Sequence, residues 1–297
     1  MHRPAHLCRT WLFVDGADEA ALHTAASLGA DVLMQELEDF TPPGLRPKAR
    51  ALAPETYAHW RERGHVVAVR VNPLAADGMD DLAEVMKGAP DIVALPKVAE
   101  PEHVIALDEA VGRFEREYGL PEGSTRLLPN VELARGLVQT GKIATASDRT
   151  IACLMASEDM AADLGAEREP DSRELDYCRQ RFLVECVAAG TLAIDCPYTW
   201  ADVAGAERDT RWARRLGYKA KSAVNHDHVA PINAILTPSA EEIEEARKIV
   251  SAFDAARAAG QARVEVDGSL VEVPTYTTAK RLLDRAAEFE AHTRDVS

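Results

Sequence analysis

Charged side chains stand at the ends of five short apolar runs in this 297-residue sequence. Carboxylates gathered with few cations are costly to bury unless a metal ion or an anionic ligand compensates them. Oxygen donors without clustered His or Cys suit a hard cation such as Mg2+, with Mn2+ as a substitute. Glu132 and Asp159 are the best pair of metal ligands. The residues at these five ends are Glu38, Asp39, Arg70, Lys97, Glu132 and Asp159.

Eight short β-branched or aliphatic runs must position these residues, because they alternate with longer Ala-rich segments that resemble helices. Such alternation predicts a parallel sheet, and eight repeats are typical of an α/β fold, the (β/α)8 TIM barrel. A doubly wound open sheet is the alternative, but no GxGxxG follows the first run. Barrel enzymes build their sites at the carboxyl ends of the strands. The predicted strands are Trp11–Val14, Val32–Glu38, Val66–Val71, Ile92–Leu95, Arg126–Glu132, Thr150–Ala156, Leu192–Asp195 and Ala220–Val224.

The chain after Ser239 exceeds what a barrel needs. It contains a charged helix over Glu241–Ala259, a β-like segment VEVDGSLVEVP and a last helix near Thr278–Ala291. We therefore expect a barrel domain over residues 1–238. Residues 239–297 would form a C-terminal helical and lid extension that packs on a neighbouring subunit.

Composition narrows the classes of partner. The 34 Lys+Arg against 49 Asp+Glu leave a net charge of −15, which disfavours nucleic acid and anionic membrane surfaces. Five cysteines without a CxxC pair indicate a reduced, cytoplasmic protein. No apolar run approaches the roughly 18 residues of a membrane span. An anionic substrate would then be bound by local Arg or Lys.

Six motifs in order along the chain are specific enough to indicate a family. The sequence resembles the HpcH/HpaI aldolase family, in its citrate lyase beta-subunit-like branch, from the first strand to the tail. The motifs are Arg9-Thr10-Trp11-Leu12-Phe13-Val14, Glu36-Leu37-Glu38-Asp39, Lys48-Ala49-Arg50, Arg70-Val71-Asn72, Leu95-Pro96-Lys97-Val98, and Ser157-Glu158-Asp159 continued to Gly165.

The resemblance implies a Mg2+-dependent carbon–carbon lyase, assembled as trimers or hexamers, that cleaves or forms a 3-hydroxyacyl thioester such as citryl-, malyl- or citramalyl-CoA. It implies that Glu132 and Asp159 bind the metal and that Glu38 and Asp39 hold metal-bound waters. Arg70 would bind the substrate carboxylate, and residues on the acyl or phosphate side would be Arg9, Lys48 and Arg50.

Val14-Asp15-Gly16 and Glu36 depart from the family pattern, and two further departures bear on the function. Val224-Asn225-His226-Asp227-His228 replaces the IHPxQ segment that shapes the thioester side of the pocket in relatives. This departure leaves open an aldolase acting on free pyruvate- or oxaloacetate-type acids, or a non-catalytic ligand-binding paralogue. In the tail, Glu272 stands where relatives carry an Asp that acts as an acid/base in a neighbouring subunit's site, so we expect Glu272 to act there.

Overall fold

The computed structural model describes residues 3–296, with the side chains of 293–296 left out of the description. Eight parallel strands close into a barrel in sequence order, so the open-sheet alternative is excluded. The strands are β1 (Thr10–Asp15), β2 (Val32–Glu36), β3 (Val66–Arg70), β4 (Ile92–Leu95), β5 (Arg126–Val131), β6 (Ala152–Met155), β7 (Leu192–Asp195) and β8 (Ala220–Ala223).

Helices follow the strands and cover the outside of the barrel. They are α1 (Glu19–Ala25), α2 (Arg46–Glu62), α3 (Met79–Val85), α4 (Pro101–Glu117), α5 (Ala134–Leu137), α6 (Thr140–Ala144), α7 (Ser157–Leu164), α8 (Asp176–Ala188), α9 (Val203–Leu216) and α10 (Val229–Leu236). Short 3-10 or π turns lie at Ala5–Leu7, Pro43–Leu45, Leu74–Gly78, Met86–Gly88, Arg173–Leu175 and His226–His228.

Alternation along the strands builds two apolar layers. Trp11 and Phe13 of β1, with Met34 of β2, belong to the cluster that fills the barrel. Leu12 and Val14 belong to the second cluster, which includes the buried faces of the helices. Successive side chains of a strand point to opposite faces, so runs that must bury both faces are nearly continuously hydrophobic. This is the pattern that predicted the strands.

Five strands (β2, β3, β5, β6 and β8) end one or two residues earlier than the sequence predicted, and in two of them the residues left outside include acidic site residues. β2 ends at Glu36 rather than Glu38, because the Glu36 carboxylate accepts the backbone N–H groups of Glu38 (2.7 Å) and Phe40 (2.5 Å) and turns the chain out of the sheet. β5 ends at Val131, one residue before Glu132. Acidic residues predicted to finish a strand therefore lie on the loops that follow it.

The chain divides into two compact units, one up to Leu236 and the other from Thr237 onward. The second unit contains α11 (Ala240–Ala258), a hairpin of β9 (Val264–Val266) and β10 (Ser269–Val271), and α12 (Val273–Val296). The helix α12 begins earlier than predicted, because Pro274 is tolerated in a first helical turn. Packing of this unit on a neighbouring subunit stays a prediction.

The second unit has a small core of its own. Phe253 of α11 is buried against Val266 and Val271 of the hairpin, and its ring lies 4.8 Å from that of Tyr276. The hairpin turns at Asp267-Gly268, both with positive φ, as a two-residue type I′ turn requires. The structure therefore supplies a physical reason for the predicted β-like segment.

In residues 3–296, no helix is both long and apolar enough to cross a membrane.

Candidate active site at the barrel mouth

Glu36, the last residue of β2, organises the acidic loop at the barrel mouth. It is fully buried, and it lies beside Arg70 in the parallel register of β2 and β3. The Nε of Arg70 donates to Glu36 Oε1 at 2.9 Å. With two backbone N–H groups on the same carboxylate, Glu36 fixes both the guanidinium and the direction of the loop. Sequence reasoning included Glu36 only in a family motif and did not assign it this role.

Arg70 points into the mouth with one side of its guanidinium already held. Its Nε lies 3.5 Å from Glu38 Oε2, its Nη2 lies 3.6 Å from Asp39 Oδ2, and its charge lies 5.0 Å from the centre of the Phe13 ring. Burial alone would lower the pKa of Arg70, but the charges of Glu36, Glu132 and Glu38 outweigh it and raise that pKa. The group stays cationic and oriented, as binding of a carboxylate requires.

Lys97, which follows β4, links acids that follow two other strands, β2 and β6. Its Nζ hydrogen-bonds Glu38 and lies 3.7 Å from carboxylate oxygens of Asp39 and Asp159. Its backbone is left-handed, at φ 53°. Burial alone would lower the pKa of Lys97, but the hydrogen bond and charge of Glu38, then the charges of Asp39 and Glu132, raise it. The sequence placed Lys97 at the mouth without assigning it a site role.

Glu132 is a fully buried carboxyl group just after β5. Within residues 3–296, neither of its oxygens has a hydrogen-bond partner of normal geometry, although the backbone N–H of Lys97 lies close enough to lower its pKa slightly. Burial raises the pKa of Glu132 to about 8; Arg70 opposes this rise, and Asp159 and Glu38 add to it. A bound cation would compensate the ionised form of this carboxyl group, which burial disfavours.

Asn130 lies in β5, two residues before Glu132. It is fully buried, and neither polar atom of its side-chain amide has a partner among the described residues. Four buried polar atoms without normal partners therefore belong to two residues at the carboxyl end of β5. The sequence signal was a polar residue in an otherwise apolar strand, Leu127-Leu128-Pro129-Asn130-Val131, and sequence reasoning did not select Asn130.

Asp159 lies on the first turn of α7, where acids are favoured by the helix dipole. Its charge raises the pKa of Glu132, so the two carboxyl groups interact. In the part of the chain that the structure describes, no three His, Cys, Asp or Glu side chains are arranged to hold a metal by themselves. Mg2+ typically binds through one or two carboxylates and completes its shell with waters and substrate oxygens. Glu132 and Asp159 fit that donor set.

Three other predicted residues lie apart from this cluster. Lys48 is exposed and donates to the carbonyl of Ala17 at 2.7 Å. Arg50 pairs with the buried Asp81 at 2.7 Å. Arg9 precedes β1, so it is at the opposite end of the barrel, where it pairs with Asp31 at 2.8 Å. The geometry offers no support for a substrate contact by Arg9 within its own barrel mouth.

Asp81 explains what Arg50 does in this structure. Its second carboxylate oxygen accepts the backbone N–H of Asn72 at 2.7 Å and the Asn72 side-chain amide at 2.8 Å. Arg50 therefore supports the turn that follows β3, immediately after Arg70. This is a positioning contact, and a role for Arg50 toward the substrate stays a prediction.

Glu272 is the one predicted site residue in the second unit. Its side chain is exposed directly before α12, and two exposed apolar residues, Leu270 and Val273, lie beside it in sequence. Single exposed apolar side chains are ordinary, but two next to one charged residue suit a segment that contacts another surface. A role in a neighbouring subunit's site stays a prediction.

The loop over residues 224–228, which departs from the family pattern, contains two histidines in different environments. His226 is exposed beside Asp227, whereas His228 is buried with its ring 5.8 Å from that of Tyr198. A cleft of about 490 Å3 lies between β1 and α1 and reaches this loop, and its lining includes Leu12, Val14 and Leu28 as well as Phe13, Phe40 and His226. Phe13 also faces Arg70, so the cleft adjoins the charged cluster.

Comparison with known proteins identifies the class to which this barrel and its site belong. The HpcH/HpaI aldolase/citrate lyase family model matches residues 9–226. Citrate lyase subunit beta of Escherichia coli is 32% identical over 280 residues, 94% of this chain and 93% of that protein. A (3S)-malyl-CoA thioesterase of Cereibacter sphaeroides is 30% identical over 294 residues, 98% of this chain and 99% of that protein.

A solved structure of the same family also resembles this chain. CitE from Mycobacterium tuberculosis in complex with magnesium, acetoacetate and coenzyme A has a TM-score of 0.76 and 26% identity, covering 95% of this chain and 99% of that chain. The chain belongs to the HpcH/HpaI aldolase/citrate lyase family. The family and the aldolase-type lyase class predicted from the sequence are thereby confirmed, and magnesium, the predicted cation, is present in that CitE structure.

Proposed function

We propose that the protein is a Mg2+-dependent carbon–carbon lyase that cleaves or forms a 3-hydroxyacyl-CoA thioester of the citryl, malyl or citramalyl type. The observation that carries this proposal is Glu132, a buried carboxyl without a normal partner, next to Arg70 at the carboxyl end of a barrel. Relatives named for citrate lyase and malyl-CoA chemistry support the substrate class.

Glu132 and Asp159 would hold the metal. When bound, Mg2+ would stabilise the negative charge that develops on an enolate during retro-aldol or retro-Claisen cleavage. Lys97 and Arg70 hold Glu38 and Asp39 at the same mouth, which is where acids that bind metal-bound waters would be needed.

Arg70 would bind the substrate carboxylate through the side of the guanidinium that faces away from Glu36. The substrate is thereby oriented, because a planar guanidinium can meet two oxygens at once. Glu272, supplied by a neighbouring subunit, would exchange a proton with the carbanion carbon. The exposed Leu270 and Val273 would bury against that subunit's mouth and exclude water.

The cleft beside Phe13 favours a thioester over a free acid. Its volume of about 490 Å3 is within the ~300–1,000 Å3 usual for small-molecule sites, and it extends beyond what a small keto acid beside Arg70 would fill. Free pyruvate or oxaloacetate is the second candidate, because the replaced 224–228 segment lies at this cleft through Val224 and His226.

The test compares two metal-ligand variants with a matched surface acid. Glu132→Ala and Asp159→Ala should each abolish metal-dependent turnover while the circular dichroism spectrum is unchanged. Glu109→Gln, on the exposed side of α4, should leave turnover at the parent level. Full activity in excess EDTA would contradict the proposal.

Substrate choice is measured separately. With Mg2+ present, malyl-CoA or acetyl-CoA should raise the melting temperature more than pyruvate or oxaloacetate, since a ligand that binds only the native state stabilises it. The reverse order would favour the free-acid aldolase. Binding of these ligands without turnover of any 3-hydroxy acid or thioester would indicate the non-catalytic paralogue.

The role of Glu272 is tested by complementation. Glu272→Gln and Glu132→Ala should each be inactive alone, and mixed oligomers should regain activity because one site can combine intact residues from two chains. Glu265→Gln, an exposed acid of the same hairpin, is the control that should stay active. Failure to complement in oligomers shown to exchange subunits would place the whole site in one chain.

A further inference from the structure

Two histidines from different helices stack on one another on the outside of the barrel. His23 of α1 and His59 of α2 are 36 residues apart in the chain, yet their ring centres lie 4.3 Å apart and the ring planes are 16° from parallel. A cavity of about 590 Å3 opens between these two helices, and both rings line it. The proposed function uses neither residue.

Each of these histidines has a carboxylate one helical turn before it. Glu19 precedes His23 in α1, and Glu55 precedes His59 in α2, in both helices at the i, i+4 spacing that places two side chains on the same face. Both glutamates are exposed and line the same cavity. Of the described residues that line it, none is Lys or Arg. The cavity therefore combines imidazole nitrogens with negative charge.

A backbone contact determines which nitrogen of His59 is available to a ligand. His59 Nε2 lies 3.3 Å from the backbone carbonyl oxygen of His23. A carbonyl can only accept a hydrogen bond, so Nε2 carries the proton and Nδ1 carries the lone pair. Metal-binding histidines usually donate their other ring N–H to a carbonyl or carboxylate, because that contact fixes the tautomer and the direction of the ring.

The position of the pair at two helix ends also favours a cation. His23 and His59 lie in the last turns of α1 and α2, where the negative ends of the helix dipoles are found. Arg61, in the same last turn of α2, donates to the carbonyls of Gly88 and Ala89 and does not line the cavity. The pair is therefore surrounded by groups that stabilise positive charge.

We infer that the stacked pair is a metal site separate from the barrel mouth, for a divalent cation that prefers imidazole, such as Zn2+. Two nitrogens about 2.0–2.1 Å from one tetrahedral Zn2+ are about 3.3 Å apart. Rotation of the two rings about their Cβ–Cγ bonds can bring one nitrogen of each onto the same ion, because the ring centres are only 4.3 Å apart.

The two imidazoles are the direct ligands that the protein supplies. Among residues 3–296, no three His, Cys, Asp or Glu side chains are already arranged to hold a metal, so waters complete the shell of the ion. Glu19 and Glu55 accept hydrogen bonds from those waters. The site involves only the outer helices α1 and α2, so it is independent of the proposed function.

The first test is calorimetric titration of the full chain with Zn2+ in excess Mg2+, which occupies the barrel mouth. His23→Ala and His59→Ala should each weaken Zn2+ binding at least about tenfold, because one of two direct ligands is lost. His103→Ala, at an exposed histidine of α4, and Glu132→Ala should keep the parent affinity. A parent that does not bind Zn2+, or binding that is unchanged in either His23→Ala or His59→Ala, would overturn the inference.

The carboxylates should contribute less than the imidazoles. The double variant Glu19→Gln and Glu55→Gln should weaken Zn2+ binding by a smaller factor than either histidine substitution, because these acids hold waters rather than the ion. Glu109→Gln, on the exposed side of α4, should leave the affinity unchanged. A double variant that binds Zn2+ as poorly as His23→Ala would contradict the assignment of the two imidazoles as the direct ligands.

Chemical footprinting tests the same site without any substitution. Diethyl pyrocarbonate modifies imidazole nitrogens that are not bound to a metal, and mass spectrometry of peptides reports each histidine separately. With Zn2+, His23 and His59 should lose most of their modification, whereas Mg2+ at the same concentration should not protect them. His103 should be modified equally in every sample. Equal modification of His23 and His59 with and without Zn2+ would overturn the inference.

Discussion

Two groups of buried charges on this barrel have opposite characters. Between the strands and the outer helices, Lys221 and Arg179 contact Asp195 and Asp209 at 2.6–2.9 Å. The two cations lower the pKa of Asp209 to about 2, against the effect of burial. Two cations and two anions satisfy one another, so this group, the closed network, requires nothing from outside the chain.

The mouth cluster is unbalanced instead. It gathers five carboxyl groups around two cations, and Glu132 among them has a raised pKa and no normal partner. Its members are Glu36, Glu38, Asp39, Glu132, Asp159, Arg70 and Lys97. Buried charge that is complete stabilises a fold, whereas buried charge that is incomplete indicates a missing ligand.

The largest effect should come from breaking the closed network. Lys221→Met leaves two buried aspartates with Arg179 alone, and loss of one partner of a buried ion pair costs about 3–5 kcal/mol. A melting-temperature decrease of roughly 6–20 °C should follow. Lys248→Met, which removes an exposed pair with Asp267, is the matched control and should change the melting temperature little. An equal decrease in both variants would contradict the comparison.

Glu132→Gln should show the opposite stability effect. It should lower kcat/KM by at least about 100-fold, as expected for loss of a metal ligand, and abolish the Mg2+-induced rise in melting temperature. In EDTA at pH 9 the variant should be at least as stable as the parent, because an uncompensated buried charge has been removed. Strong destabilisation there would mean that Glu132 has a structural partner.

Arg70→Lys keeps the charge and removes the planar fork. We expect a loss of about 10–100-fold in kcat/KM, because one ammonium cannot bind two carboxylate oxygens and hold Glu36 at the same time. Arg135→Lys, at an exposed pair with Glu100, should be neutral. Unchanged kinetics for Arg70→Lys would move the carboxylate site elsewhere.

The smallest effect, taken per pH unit, is the pH dependence due to Glu132. Its folded pKa of about 8 lies above the ordinary 4.5, so the native state binds more protons than the unfolded state between these values. Stability of the metal-free protein should therefore fall as pH rises through this window, by at most about 1.4 kcal/mol per pH unit. Glu132→Gln should remove this contribution from melting profiles. A slope that persists in that variant would assign it to other groups.

Protonation of Glu132 also competes with Mg2+ binding. Mg2+ needs the ionised carboxylate, so its affinity should weaken as pH falls below about 8, by up to tenfold per unit. Calorimetric titration at several pH values, with proton release measured in buffers of different ionisation enthalpy, checks this sign. Affinity that is independent of pH would contradict the raised pKa of Glu132.

The strands were predictable from sequence because both of their faces are buried, which leaves continuous apolar runs such as Val66–Val69. The convergence of the mouth residues was predictable for a different reason, because parallel strands bring their carboxyl ends together. The exact ends of the strands were less predictable. β2 ends at Glu36 because that carboxylate accepts two backbone N–H groups, a contact that the hydrophobic pattern does not show.

Contacts between residues distant in sequence explain why the remaining site residues were not predicted correctly. Arg50 and Arg9 carry the right charge for substrate binding, but Asp81 and Asp31 pair with them, and these aspartates lie 31 and 22 residues away in the chain. Asn130 was overlooked because one amide in an apolar strand is not distinctive until its lack of partners is seen in three dimensions.

The left-handed backbone of Lys97 has a consequence for evolution and engineering. A side chain at φ 53° is strained, at about 1 kcal/mol, and glycine would adopt that conformation freely. Lys97→Gly would relieve the strain and also delete the ammonium that joins Glu38, Asp39 and Asp159. A substitution here, in evolution or by design, would therefore exchange relief of backbone strain for the loss of an ion pair to the buried Glu38, so Lys97 and the acids that it joins can change only together.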